Sequence, residues 1–161
     1  LFLRSEDHGR SFAPTTARGL PADLSAARPR SRETPYPLIA WHGARGALWL
    51  KLGERLYRST DAGDSWTRIG AAIRAELFAL GRPASGSQEP TLFVAGEFQG
   101  QRGLFRQADG DRGWLRIDDD AHRWGHEYRV IEGDPKVFGR LYVGTNGRGI
   151  LYGDPVFHGK E

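Results

Sequence analysis

The chain has 161 residues, of which 39% are hydrophobic, 27% charged and 11% aromatic, a composition that excludes a disordered protein. Its net charge of +3 arises from 23 basic and 20 acidic residues mixed along the chain, which argues against a nucleic-acid-binding protein. Cysteine is absent, which excludes disulfides and thiolate metal sites in this chain, and no apolar run approaches the roughly 18 residues of a membrane span.

The first residues and a later arginine-rich stretch give little functional information. Residues 1–5, LFLRS, lack a start methionine and the features of a signal peptide, so we expect them to lie within a strand of a processed or longer chain. Arginines recur among Pro, Ala and Ser between Arg18 and Arg32, and this pattern predicts a solvated loop. With 22 Gly and 9 Pro between aromatic clusters, the rest of the chain predicts an all-β fold of short strands.

A repeat of strand, polar turn and aromatic residue organises the chain. Its copies occupy residues 2–12 (FLRSEDHGRSF), 55–66 (RLYRSTDAGDSW) and 103–114 (GLFRQADGDRGW). A fourth copy, GILYGDP at 149–155, keeps the strand and loses the turn. Ser59 follows Ser5 by 54 residues and Gln107 follows Ser59 by 48, a period typical of four-stranded propeller blades.

The repeated turn, at 5–12, 59–66 and 107–114, has the form Ser-x-Asp-x-Gly-x-Ser/Thr-Trp, the Asp-box signature. Its carboxylate can accept hydrogen bonds from turn amides, its glycine supplies a positive φ, and its terminal aromatic anchors the hairpin. A catalytic group would not recur once per blade, so we interpret the box residues as structural. These residues are Asp7, Gly9, Asp61, Gly63, Trp66, Asp109 and Trp114.

The boxes resemble those of Asp-box propellers, which include sialidases, sortilin-like receptors and the xyloglucanases of glycoside hydrolase family 74. We therefore predict one partial propeller domain over 1–161, with about three to four antiparallel four-stranded blades and a closing blade at about 129–155. If strands A to D run outward and the box joins C to D, the B–C and D–A connections lie on the opposite face. The predicted B and C strands are 47–51 with 56–59, 91–95 with 104–107, and 140–144 with 149–152, joined by turns 52–54, 96–103 and 145–148.

The connection at 117–128 is the least regular segment on that face. It contains three consecutive aspartates, two histidines and Trp124, which could stack on a sugar ring or pack against a neighbouring blade. A solvated acidic loop is the alternative interpretation. His122 and His126 form a weak zinc pattern, so we expect no metal and no cofactor. Asn146, followed by Gly147, is either a hairpin residue or a binding residue.

Two long segments, 116–125 (RIDDDAHRWG) and 134–155 (DPKVFGRLYVGTNGRGILYGDP), are similar to the last blades of family 74 xyloglucanases. The resemblance implies the C-terminal part of a secreted enzyme with two seven-bladed propellers, which cleaves the β-1,4-glucan backbone of xyloglucan with inversion. It also implies that both catalytic aspartates lie upstream, so no catalytic residue is expected here and we do not assign that role to Asp119 or Asp120.

Four residues on the loop face are candidate contacts to the polysaccharide in the cleft wall: Trp124, His122, Asn146 and Arg148. The expected partners are that polysaccharide and upstream blades of the same chain, with no nucleic acid and no membrane. A sialidase would need an arginine cluster and a tyrosine paired with an acid. A noncatalytic sortilin-like or assembly-factor propeller that binds peptides is the alternative outside the enzymes.

Overall fold

The computed structural model describes residues 2–24, 38–107, 113–122 and 127–156. Over these residues the chain forms thirteen β-strands and no helix, which confirms the all-β prediction. There is accordingly no helix of the length and apolarity that crossing a membrane requires in this part of the chain. The chain divides into two compact units, Leu1–Ala75 and Glu76–Glu161. The single domain over 1–161 stays a prediction.

The first unit contains a two-stranded and a four-stranded antiparallel sheet. β1 pairs with β2, and the larger sheet has the order β3-β4-β5-β6. This sequential order is the one predicted for strands A to D of a blade. The strands are β1 (Leu3–Arg4), β2 (Ala13–Pro14), β3 (Leu38–Ala40), β4 (Leu48–Leu52), β5 (Arg55–Ser59) and β6 (Thr67–Ile69).

The second unit repeats the pattern with one four-stranded and one three-stranded antiparallel sheet. Their orders are β10-β9-β8-β7 and β11-β12-β13, and β7 begins in the last residues of the first unit. The three-stranded sheet occupies the predicted closing blade. The strands are β7 (Ile73–Gly81), β8 (Thr91–Phe98), β9 (Gln101–Gln107), β10 (Leu115–Arg116), β11 (Tyr128–Gly133), β12 (Leu141–Thr145) and β13 (Ile150–Gly153).

The predicted B–C hairpins are all present, but one turn was predicted wrongly. The segment 96–103 was expected to be the turn, whereas β8 and β9 remain paired through Phe98 and Gln101. The actual turn is Gln99-Gly100, with φ values of 51° and 78°. Two central residues with positive φ form the tight turn that matches the twist of a hairpin. Glutamine is not a usual residue for this turn, so the sequence does not indicate that a turn begins at Gln99.

Each unit has its own apolar core. In the first, the buried residues are Leu50, Leu52, Tyr57 and Trp66. The rings of Phe2 and Trp66 pack edge to face, with their centroids 5.3 Å apart. In the second, Phe93 on β8 is fully buried in a cluster that also includes Ile131 and Val143 of the neighbouring sheet. The six residues from Thr91 to Gly96 are all buried, as expected for a strand covered on both faces.

The sheets of the second unit come close together at two glycines. A Cβ built on Gly133 of β11 would lie 2.7 Å from the Cα of Gly81 on β7. The backbone continues the contact, since the amide of Arg82 donates to the carbonyl of Asp134 at 2.8 Å. The absence of side chains at these glycines therefore allows strands β7 and β11 to pack at this distance.

The first Asp-box turn joins β1 to β2 in the two-stranded sheet, and the second joins β5 to β6, the third and fourth strands of their sheet. In the second box, Asp61 accepts from the Ser59 hydroxyl at 2.8 Å and from the amide and hydroxyl of Ser65 at 2.8 and 2.6 Å. These bonds, led by that of the Ser65 hydroxyl, lower the pKa of Asp61 to about 2. Gly63 has a φ of 95°, and its carbonyl accepts from the Trp66 indole at 3.1 Å.

The first box repeats this network. Asp7 accepts from Ser5 at 2.8 Å and from the amide and hydroxyl of Ser11 at 2.9 and 2.6 Å, and its pKa is also lowered to about 2. Gly9 has a φ of 84°. In the third box Trp114 is half-buried, and Asp109 lies outside the described residues.

The residues after β2 pack against the second box. The amide of Arg18 donates to the carbonyl of Asp64 at 3.0 Å, and the amide of Trp66 donates to the carbonyl of Arg18 at 2.8 Å. The Arg4 guanidinium also contacts Asp64, at 2.8 Å. The first sheet is thus tied to the second through the box turn, and Arg18 is part of this contact. Residues 25–37, which include the rest of the arginine-rich stretch, lie outside the described residues.

Candidate functional site

The loops at the end of the second unit opposite its Asp box form the candidate site. In sequentially ordered antiparallel sheets, a B–C turn lies at the same end as the D–A connections that precede and follow its sheet. The structure shows this contact directly: Asn146 in the β12–β13 turn donates its side-chain amide to a Glu127 carboxylate oxygen at 2.9 Å. Its backbone amide also donates to the Glu127 carbonyl, at 3.3 Å. Glu127 ends the connection that precedes β11.

An arginine fork organises the start of that connection. Arg116, the last residue of β10, donates through Nε to Asp118 at 2.8 Å and through Nη2 to Asp120 at 2.7 Å. These hydrogen bonds, that of Asp120 first, raise the pKa of Arg116. The side chain of Asp118 is only 4% exposed, whereas that of Asp120 is 65% exposed. The pair of Arg116 and Asp118 is therefore the inner part of the fork.

Two neighbours fix Asp118 in place. A Cβ on Gly103 of β9 would lie 2.5 Å from Asp118 Oδ1, so a larger residue there would require this carboxylate to shift. Tyr128, at the start of β11, interacts with Asp118 from the other side. The pKa of the Tyr128 hydroxyl is raised mainly by burial. The negative charge of Asp118 and the hydrogen bond to it raise this pKa further. The hydroxyl therefore stays protonated near neutral pH and can donate.

These residues line a cleft of about 340 Å³ between the β8–β9 hairpin and the β10–β11 connection. The guanidinium of Arg102 lies on the hairpin side and is paired with Glu76 of β7 at 2.7 Å. Guanidinium, carboxylate, amide and phenol groups all face the same space, so the cleft suits a ligand with many hydroxyl groups. The lining residues are Gly100, Gln101, Arg102, Gly103, Arg116, Asp118, Asp120 and Tyr128.

His122 lies in the same connection and is exposed. Its ring nitrogen Nδ1 and its backbone amide contact Asp119 at 2.9 and 2.7 Å. These contacts, led by the side-chain hydrogen bond, hold the pKa of Asp119 below its usual value. Among the residues that the structure describes, no group of three potential ligands is arranged to hold a metal ion. His126 and Trp124 lie outside the described residues, so their roles stay predictions.

The β12–β13 turn presents the other two candidates. Asn146 contacts Glu127, and the backbone amide of Arg148 donates to the Thr145 hydroxyl at 3.0 Å. Gly147 and Gly149 have φ values of 94° and 81°, so both glycines have the left-handed conformation that this turn requires. The interaction of Asn146 with Glu127 shows that a turn residue can also organise the loop beside it.

Sequence reasoning missed the residues that build the cleft, although a signal was present. Arg116, Asp118 and Asp120 are spaced by two residues, and alternate residues of an extended chain face the same side. The three aspartates were instead considered as one acidic group. Gly103 and Tyr128 had no local signal, because their role depends on a carboxylate that reaches them from another strand.

Comparisons with known proteins show sequence similarity to xyloglucanases over nearly the whole chain. It is 39% identical to a xyloglucanase of Paenibacillus sp. over 158 residues, which cover 94% of this chain and 14% of that protein. It is 37% identical to an oligoxyloglucan-reducing end-specific xyloglucanase of Emericella nidulans over 159 residues, or 93% of this chain and 18% of that protein. The chain thus spans less than a fifth of the length of these relatives. No family model matches.

Solved structures show the same similarity. A crystal structure of the GH74 enzyme of Niastella koreensis matches 79% of this chain and 19% of its own, with a TM-score of 0.66 and 33% identity. That of the GH74 xyloglucanase of Xanthomonas campestris matches 96% of this chain and 27% of its own, with a TM-score of 0.53 and 26% identity. The chain therefore has a fold found in part of these larger enzymes.

Proposed function

The chain belongs to glycoside hydrolase family 74, and from this membership we propose that it is part of a secreted enzyme that hydrolyses the β-1,4-glucan backbone of xyloglucan. The observation that carries the proposal is sequence similarity to xyloglucanases over 93–96% of the chain. The resemblance noted from the sequence in residues 116–125 and 134–155 is confirmed at the level of the family.

The proposed role of this part is to bind substrate, while catalysis belongs to other parts of the enzyme. An inverting hydrolase needs a protonated general acid and a general base about 6.5–9.5 Å apart. Hydrogen bonds from His122 lower the pKa of Asp119, which is the opposite of what a general acid needs. Arg116 engages both Asp118 and Asp120. This arrangement supports a structural or binding role for the three carboxylates.

The loop face supplies groups of the kind that recognise sugar hydroxyls. We assign His122, Asn146 and Arg148 to hydrogen bonding with the polysaccharide and Trp124 to stacking on a sugar ring. The contact between Asn146 and Glu127 supports this assignment, because it places the β12–β13 turn beside the β10–β11 connection. A long polymer can therefore contact both loops from one side.

The proposal is tested by expressing the full-length protein that contains this chain and measuring the reducing ends it releases from xyloglucan. Carboxymethylcellulose serves as the control for general β-glucanase activity. We expect release from xyloglucan and little from the control. A folded protein inactive on both polymers would overturn the proposal and favour a noncatalytic binding propeller. Alanine variants of Asn146 and Arg148 should weaken substrate affinity, and unchanged affinity would remove them from the cleft wall.

A further inference from the structure

The two four-stranded sheets differ at the end that carries the B–C turn. In the first unit β5 has five residues and the connection from β6 to β7 consists of residues 70–72. In the second unit β9 has seven residues and the connection from β10 to β11 consists of residues 117–127. Both the hairpin and the connection are therefore longer in the second unit. The Asp-box positions Ser59 and Gln107 end β5 and β9 in the same way.

The cleft of about 340 Å³ lies between these two extensions. Loops that are elaborated on a regular framework are common locations for binding sites. The volume lies within the range of about 300–1,000 Å³ that is usual for small-molecule sites. The coincidence of two lengthened loops with a cleft between them indicates a ligand site.

A comparison of equivalent arginines shows how the cleft differs from an ordinary loop closure. Arg68 is the second residue after Trp66, and Arg116 is the second residue after Trp114. Arg68 donates to the carbonyl of Ala71 at 3.0 Å and so closes the short connection. Arg116 instead holds Asp118 and Asp120. The same strand position thus closes a short connection in one sheet and holds two carboxylates in the other.

The charges of the cleft select the class of ligand. Arg116 is paired with two carboxylates and Arg102 with Glu76, so both guanidinium groups of the lining are already neutralised. An anionic ligand would have to compete with these carboxylates. A neutral ligand with hydroxyl groups can bond to the oxygens of Asp120 and the amide of Gln101 without disrupting the ion pairs.

We propose that this cleft binds a neutral pyranose unit, with Gln101 and Asp120 as hydroxyl contacts and with Arg116 as a positioning residue that acts through Asp118 and Asp120. Identification of the pyranose as a unit of xyloglucan rests on the proposed function. The binding site itself rests on the geometry of the two loops. This binding site would be a second contact region for the polysaccharide, beside the one assigned above to His122, Asn146 and Arg148.

The test is a calorimetric titration of the full chain with neutral xyloglucan oligosaccharides. Loss of one hydrogen bond changes affinity by about 2- to 10-fold, so Gln101→Ala and Asp120→Asn should each weaken binding by that factor. Gln88→Ala is the matched control, because Gln88 is an exposed glutamine in the connection between β7 and β8 at the other end of the same sheet. Its affinity should equal that of the unmodified chain.

Two further variants test the positioning role. Gly103→Ala should reduce affinity by about 2- to 10-fold, because its Cβ would lie 2.5 Å from Asp118 Oδ1 and shift that carboxylate. Arg116→Lys should retain one ion pair and recover part of the affinity that Arg116→Ala loses. A thermal melt of each variant separates loss of binding from loss of folding, and binding is compared below the lowest melting temperature.

Failure of this inference is distinguishable from failure of the proposed function. No binding by the unmodified chain, or equal binding by the Gln101, Asp120 and Gln88 variants, would overturn the cleft assignment even if the full-length protein hydrolyses xyloglucan. Equal or tighter binding of carboxymethylcellulose than of neutral oligosaccharide would overturn the ligand class. Cleft-dependent binding without hydrolysis by the full-length protein would retain the sugar site and remove the enzyme proposal.

Discussion

Gly81 and Gly133 lie opposite each other in the second unit, so close that a Cβ on Gly133 would be 2.7 Å from the Cα of Gly81. Both glycines lie at the ends of the first strands of their sheets, β7 and β11. A side chain at Gly133 would have backbone atoms of Leu80 and Gly81 as its nearest neighbours. Since backbone atoms cannot rotate away as a flexible side chain can, the contact makes the separation of the two sheets sensitive to a single methyl group.

Gly133→Ala should lower the free energy of unfolding of the second unit by about 1–3 kcal/mol, the usual cost of overpacking. Gly153→Ala is the control, because a Cβ at Gly153 has no neighbouring atom within 4 Å. That variant should stay within about 0.5 kcal/mol of the unmodified chain. Urea unfolding followed by circular dichroism measures both. Equal stability of the two variants would contradict the close packing of β7 and β11.

Trp66→Ala should destabilise the first unit by about 3–5 kcal/mol, because it removes the largest side chain of that core and leaves a cavity beside Phe2 and Tyr57. Trp66→Phe should cost less, since it retains much of the apolar volume and loses the indole hydrogen bond to Gly63. The fluorescence of the remaining tryptophans during urea unfolding reports both midpoints. A smaller effect for alanine than for phenylalanine would show that the indole is not a core anchor.

Asp61 should make stability depend on pH between about 4 and 2. Its folded pKa of about 2 lies below its ordinary value of 3.8, so its stabilisation is present above about 4 and is lost as pH falls through 2. Asp61→Asn should therefore melt lower than the unmodified chain at neutral pH, and the difference should shrink on acidification. Thermal melts from pH 7 to pH 2 measure it. A difference that is constant with pH would assign the effect to shape alone.

Asn146→Asp should loosen the β10–β11 connection, because it places a second carboxylate beside Glu127 where an amide now donates at 2.9 Å. Asn146→Ala removes the hydrogen bond without adding a charge and should cost only about 0.5 kcal/mol locally. Hydrogen exchange of the amides around residues 127–128 should be faster in the aspartate variant than in the alanine variant. Raising the salt concentration should reduce the excess. Equal exchange in both variants would show that the contact does not organise the loop.

The fold was predictable because its strongest signals are local. The Asp and Gly of the first two boxes serve the turn in which they lie, so Asp61 and Gly63 could be assigned from residues within four positions. The turn at Gln99-Gly100 was missed because glutamine has no intrinsic preference for positive φ and adopts it here under the pairing of β8 with β9. The family resemblance was also readable, because it rests on long continuous segments.

The loops that share an end of the sheet were predictable, but the residues that line the cleft were not. The position of the box between strands C and D predicted that the B–C turns and D–A connections lie together, and Asn146 contacts Glu127 there. Which aspartate would be buried depends on Gly103 and Tyr128, residues on other strands that a linear pattern does not connect with Asp118. The assignments of Trp124, His122, Asn146 and Arg148 to sugar binding stay predictions.

The Asp-box turn and the variable loops occupy opposite ends of each four-stranded sheet, separated by the length of a strand. A mutation that lengthens a hairpin or a connection at one end leaves the hydrogen bonds around Asp61 or its counterparts untouched at the other. Such a sheet can acquire new recognition surfaces by insertion while selection for folding acts elsewhere in the sequence. The short connection 70–72 is accordingly a position at which a longer loop could be inserted. Residues 117–127 provide the sequence of such a loop.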